Sequence, residues 1–399
     1  MAADGARRGP LAGIRVVEMV GVGPCPFAAM WLADMGAEVI RIDRPGQRWN
    51  QTRGDILNRG RRSLAVDLKK PGAADLVLRL VERADVLIEG FRPGVMERLG
   101  LGPEVCLARN PRLVFGRITG WGQDGPRAQR AGHDINFIAV TGILAAIGPA
   151  DGRPTPPLNL IGDFGGGGMM LVAGVLAALV ERATSGRGQV VDAAMAEGAS
   201  LLAAMIWAYH GKGLWQAERE ANLFDGGAPF YGTYRCADGR YVAVGAIEPE
   251  FWSLLLDRLG IDDPLLRGHQ RDRARWPELR ARLAAVLATR PRDEWCRLAE
   301  DSDACLAPVL GFDEAPAHAQ AAARDGFATR DGTVQPAPAP RFSRTAGAIG
   351  SAPAFVGEHS RAILADAGFP ASEIADLEAR GIVAQGRAGD SPTKSGPLG

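Results

Sequence analysis

Cysteine is scarce. There are five in 399 residues, Cys25, Cys106, Cys236, Cys296 and Cys305, and no two form a CxxC pair. That argues against a disulfide framework and against a zinc or iron–sulfur site, and fits a reducing compartment. Net charge is missing too, since 46 Lys and Arg balance 46 Asp and Glu. No global field draws the chain to nucleic acid or to a membrane surface. Long apolar runs are few. The longest, around 169–180, reads as too short and too broken by glycine to span a bilayer. The opening MAADGARRGP carries two arginines with no apolar stretch behind them, unlike a secretory signal. A cytoplasmic chain without metal, membrane or nucleic-acid partners is the expectation.

What is present is ordinary for a soluble globular protein: 46% hydrophobic and 23% charged residues. The length suits one large domain or two of usual size. Short runs rich in β-branched residues, IRVVEM (14–19), AEVIRID (37–43), SLAVDL (63–68), DVLIEG (85–90) and RLVFGRITG (112–120), alternate with helical stretches. GQVVDAAM adds another near 190. Alternation of this kind predicts βαβ units and a mostly parallel, Rossmann-like sheet in an α/β domain. That large domain is expected over 10–200. A crossing helix or linker should fill 201–225, since 197–224 reads as one long helix with a polar continuation. A smaller α+β domain should follow at 226–320. Residues 330–343 are Pro-rich and extended, and 357–383 reads as helix, turn, helix. The polar end, 385–399, reads as disordered.

Several stretches carry chemistry. GVGPCP (21–26) follows a strand and opens a helix, with Asp43 about twenty residues on, which is close to a dinucleotide fingerprint. Pro26 stands at the third glycine position and removes a donor that phosphate would need. A tight strand-to-helix turn is the better reading. Arg41 and Arg44 flank the end of the second strand. NRGRRS (58–63) puts Arg59, Arg61 and Arg62 on a loop before the third, and Arg92 follows the fourth. This set is expected at the carboxyl ends of the strands, where open α/β sheets bind ligands and arginine forks match phosphate.

GHDIN sets His133 outside a helix start, with Asp134 as the natural cap. In LIGDFGGGGMM, Asp163 precedes four glycines, more than a cap needs and costly to a helix. Glycines such as Gly165 and Gly166 allow close approach by a ligand, and helix-start amides suit an anion. A carboxylate beside them fits an enolising site. Met169 and Met170 would form a pliable apolar wall. GAIEPE ends a strand with Glu248, with Glu250 as its rival. The other histidines, His210, His269, His318 and His359, show no companion pattern.

Taken together, LAGIRVVEM, GAEVIRIDRPG, NRGRRSLAVDLK, DVLIEGFRPGVMERLGLG, TGWGQDGPR, AGHDINF, PPLNLIGDFGGGG, GQVVDAAM, DGGAPFY and DGRYVAVGAIEP resemble the α-methylacyl-CoA racemase branch of the family III CoA-transferases. The resemblance runs from about residue 10 to 383. It implies a two-domain subunit whose large domain is completed by the C-terminal segment (330–383), and a homodimer of interlocked chains. It implies inversion of the carbon next to a coenzyme A thioester, with no cofactor and no metal. His133 and Asp163 correspond to the two bases, and Glu248 to the glutamate supporting the histidine. Arg41 and Arg92 correspond to positions near the adenine and phosphates of coenzyme A, with Arg59, Arg61 and Arg62 nearby. In transferase relatives an aspartate at position 163 attacks the thioester instead, forming a mixed anhydride. The acyl chain stays open among branched fatty acyl, sterol and aryl-propionyl thioesters.

Overall fold

The computed structural model describes residues 8–47 and 53–386, which form two compact units. The larger takes residues up to 141, 158–202, and 323 onward; the smaller takes 142–157 and 203–322.

The larger unit is built on a sheet of seven strands. Six are parallel and run in the spatial order β3-β2-β1-β4-β5-β6. These are β1 (Arg15–Met19), β2 (Glu38–Asp43), β3 (Arg61–Val66), β4 (Val86–Glu89), β5 (Val114–Thr119) and β6 (Val190–Ala194). The short strand Val383–Ala384 closes the β3 edge antiparallel. Both faces are covered, so the central strands are apolar on both sides. On one face α2 (Ala73–Val81) and the C-terminal helices pack with Leu64, Leu87 and Phe115. Ile363, Leu364, Leu377 and Ile382 belong to that same core, so the C-terminal segment completes the unit. On the other face lie α1 (Pro24–Asp34), rich in buried alanine, and α4 (Met170–Ser185). Between them in the chain comes α3 (Asp134–Ala139), and after β6 comes α5 (Met195–Leu202).

The sheet reverses its winding at β1. From β1 the chain goes outward to β2 and β3, then returns through α2 to β4 on the other side. Ligands of open α/β sheets sit beyond the carboxyl ends of the strands at such a switch point. Here those ends are the loop after Met19, Arg44 after β2, and Gly90–Arg92 after β4.

Four expectations need correction. The third strand starts at Arg61 rather than Ser63, so Arg61 and Arg62 are strand residues, paired in register with Val39 and Ile40 near the start of β2. They therefore sit at the amino end of the sheet. The helix expected over 197–224 breaks at Ala203, continues as α6 (Ala204–Gly211), and then gives way to turns. The apolar stretch at 160–185 is one continuous helix, long and apolar enough by length and composition to cross a membrane. Its Leu171, Val172, Val175 and Ala178 are buried in the core, as a helix packed on a sheet requires. At the C-terminus, Gln385 and Gly386 are ordered, with the Gly386 N–H donating to the Gly357 carbonyl (2.9 Å). The rest of the expected polar tail lies outside the described residues.

The smaller unit holds an antiparallel sheet of β7 (Gly232–Arg235), β8 (Tyr241–Val244) and β9 (Leu306–Pro308), with β8 central. Helices including α7 (Pro249–Arg258) and Trp276–Leu287 pack Trp252, Leu255, Trp276 and Leu283 against Phe230 and Val242.

Candidate active site

Asp163 does not sit in an ordinary helix start. Residues Leu160–Met169 form a π-helical segment that runs directly into α4. Such wide turns are uncommon and collect at functional sites. The glycines make the segment possible by removing side chains where other backbones press in. A Cβ on Gly198 of α5 would collide with the Gly166 carbonyl oxygen, and one on Gly166 would lie 2.5 Å from the Ala199 nitrogen. Gly165 has Leu202 against it, and Gly167 has Met195 and Ile118. These glycines thus serve helix-to-helix contact, while Met169 is 40% exposed.

The segment delivers the Asp163 side chain toward the switch point. Its carboxylate lies near Gly23 in the loop after β1, where a Cβ would be 3.5 Å from Oδ2. Asn159, one turn earlier, donates its Nδ2–H to Asp163 Oδ2 (3.1 Å). Burial pushes the Asp163 carboxyl above the usual carboxylate range. The Asn159 bond opposes this, Asp134 adds to it, and His133 opposes it.

His133 stands at the start of α3, one residue before the Asp134 that bonds the Asp163 backbone. It is the N-cap residue of that helix and is exposed, and its backbone N–H donates to Asn136 Oδ1 (3.1 Å). The expected cap, Asp134, does something else. It is 5% exposed, and its Oδ2 accepts the backbone N–H of Gly162 (2.6 Å) and of Asp163 (2.8 Å). Asp134 therefore ties the chain next to one candidate base to the backbone of the other. Those two amides are consequently not open to an oxyanion, contrary to the sequence reading. Asp134 and Asn159 were both missed as site residues. The i, i+4 spacing of Asn159 and Asp163 was the available signal for one, whereas the reach of Asp134 across 28 positions left none.

The arginines divide sharply. Arg41 is buried and bonds Asp43 (2.8 Å) and Asn58 (2.9 Å). Arg59 is buried against Asp34 (2.5 Å) and Gln335 (2.7 Å). Arg61 is wholly buried on Glu18 (2.7 Å). Burial raises the Glu18 carboxyl in spite of Arg61 and Arg41 beside it. Arg62 bonds Glu38 and Asp366 on the other side of the strand. None of these four guanidinium groups is free to take a phosphate. Arg92 is exposed, and its loop is pinned from below: Glu89 accepts the Phe91 N–H (2.7 Å) and Arg117 Nε–H (2.9 Å). Arg44, also exposed, stands at the end of β2. Neither Arg44 nor Arg92 is ion-paired among the described residues.

A parallel sheet with free arginines and a raised carboxyl at its switch point is compatible with many ligands, so likeness to known proteins decides the family. The model of CoA-transferase family III matches residues 11–360. The chain belongs to CoA-transferase family III. It is 48% identical to the α-methylacyl-CoA racemase of Mus musculus over 377 residues, covering 94% of this chain and 97% of that one. It is 46% identical to the Homo sapiens α-methylacyl-CoA racemase over 376 residues, 94% and 97% of the two chains. In structure it resembles a CaiB/BaiF family protein from Brucella suis, with a TM-score of 0.77, 28% identity, and 90% of this chain and 100% of that one covered.

In this family III chain the remaining candidate, Glu248, belongs to the smaller unit. It is exposed and is the N-cap residue of α7, with Glu250 in the first turn. Among the described residues no group of three or more His, Cys, Asp or Glu is placed to hold a metal ion.

Proposed function

We propose that this member of CoA-transferase family III is a 2-methylacyl-CoA racemase. The observation that carries the reading is the pair of hydrogen bonds by which Asp134, the residue after His133, holds the Gly162 and Asp163 amides. The likeness to the mouse and human racemases along nearly the whole chain supports it.

The chemistry follows from the thioester. Its carbonyl acidifies the C2 proton, and removal gives an enolate. One base takes the proton from one face and the other returns one from the opposite face. A raised Asp163 carboxyl holds a proton more readily than an ordinary aspartate, which brings its strength nearer that of an imidazole. Because each base can take a proton or return one, either face can be the starting one and the reaction runs in both directions. The enolate oxygen needs donors other than the Gly162 and Asp163 amides, which Asp134 occupies. Arg44 and Arg92 are the phosphate-facing groups of this reading, since their guanidinium forks suit coenzyme A. No metal or organic cofactor enters the scheme.

The working unit of the reading is a homodimer with interlocked chains. Val180, Leu201 and Leu202 in the larger unit and Met205 and Trp207 in the smaller are large apolar side chains left exposed. A second copy is the natural cover for patches of this kind.

The test is to incubate one enantiomer of a 2-methylacyl-CoA with the protein and separate the products chirally. Racemisation supports the reading. Retained optical purity, with CoA passing to an added free acid and a hydroxylamine-trapped acyl group on Asp163, would replace it with the transferase. Asp163→Asn and His133→Ala should each slow racemisation on the order of 10²–10⁴-fold.

A further inference from the structure

Asp134 stands out among the acidic residues of the larger unit. It is 5% exposed, it makes no ion pair among the described residues, and its Oδ1 is buried without a hydrogen-bond partner there. Its other oxygen takes two amides, those of Gly162 and Asp163. Gly162 has no room for a side chain because that carboxylate is there; a Cβ would lie 2.6 Å from Oδ2. A buried carboxylate left with one oxygen unsatisfied is costly. Capping two amides does not require it, because asparagine accepts the same bonds without the charge.

We propose that Asp134 is a positioning residue: bonded to the Gly162 and Asp163 amides and joined by one peptide bond to His133, it sets the spacing of the two bases and places its own charge beside the Asp163 carboxyl. The proposal rests on the racemase reading for its use but not for its geometry. The groups acting on Asp163 are Asn159 of its own segment and His133 and Asp134 of α3. The loop before α1 brings it the backbone of Gly23. Among the described residues, α1 and α5 bring no charged side chain to act on it. Asp134 is thus the one negative charge favouring the protonated carboxyl. Neutralising it lowers the proton affinity of Asp163.

Asp134→Asn and Asp134→Ala separate the two effects. The first readout is the pH dependence of carbodiimide labelling at Asp163, followed by peptide mass spectrometry, because it needs no turnover. In Asp134→Asn the labelling midpoint should move to lower pH while the melting temperature stays close to wild type. The second readout is racemisation. In Asp134→Ala, kcat should fall on the order of 10- to 100-fold with KM little changed, as expected when a base is displaced. In Asp134→Asn the acidic limb of the pH–rate profile should move with the labelling midpoint. An unmoved midpoint in Asp134→Asn, or an Asp134→Ala variant that loses only stability and keeps kcat well below its melting temperature, would overturn the proposal. A wild-type protein with no racemase activity would sink the racemase reading instead, and the labelling result would still decide the role of Asp134.

Discussion

The two ends of one parallel sheet use the same residue type in opposite ways. At the amino end, Arg59 and Arg61 are buried, each locked to a carboxylate of another element. At the carboxyl end, Arg44 and Arg92 are exposed and unpaired among the described residues. The difference teaches that a basic cluster in sequence is not a binding site until the register is known. A shift of two residues in where β3 begins carries Arg61 from a loop into the sheet interior. There its charge has to be matched, and Glu18, from two strands away, matches it.

That contrast can be broken or sharpened by substitution. The largest effect should come from Arg61→Met. It strands the Glu18 carboxylate in a site with no exposure and should cost about 3–5 kcal/mol in denaturant unfolding, as breaking a buried pair does. A loss below about 1 kcal/mol would mean that the pair is not structural. Arg92→Ala should leave the unfolding midpoint unchanged and raise KM for the acyl-CoA about tenfold, the effect of losing one charge-assisted contact worth about 1.5 kcal/mol. If it destabilises the fold instead, the carboxyl end is built like the amino end. Arg62→Ala should do least. Its partner Asp366 is largely exposed, and such pairs contribute about 0–1 kcal/mol, with turnover untouched.

Most of the fold was legible in the sequence because its signals are local. β-branched runs bounded by glycine and proline marked β1, β2, β4 and β5 within a residue or two. The order of strands in the sheet was not legible, and neither was the end of the third strand at which the arginines lie. Residues 142–157 join the smaller unit although both flanking stretches belong to the larger; the Pro- and Gly-rich GPADGRPTPP (148–157) marks a break in regular structure but does not say which unit the stretch joins. The site was legible in part. His133 and Asp163 stand out as a histidine and an aspartate at helix starts. Asp134 looked like a cap for its own helix, the commonest role for that residue type there. Its actual partners lie 28 and 29 positions away. The glycines after Asp163 suggested a ligand, yet the closest things to them are α5 and the Phe27 ring of α1. Glycine makes room for whatever approaches, and sequence does not say whether that is a substrate or another helix.

The central claim is that His133 and Asp163 exchange the proton at C2 of an acyl-CoA. The most direct measurement is the mass and optical purity of one enantiomer of 2-methylacyl-CoA after incubation with the protein in deuterated water. The account predicts one deuterium gained at C2 as optical purity falls, and both changes lost in Asp163→Asn. A substrate recovered without deuterium and still optically pure, from protein shown to bind it, would contradict the account.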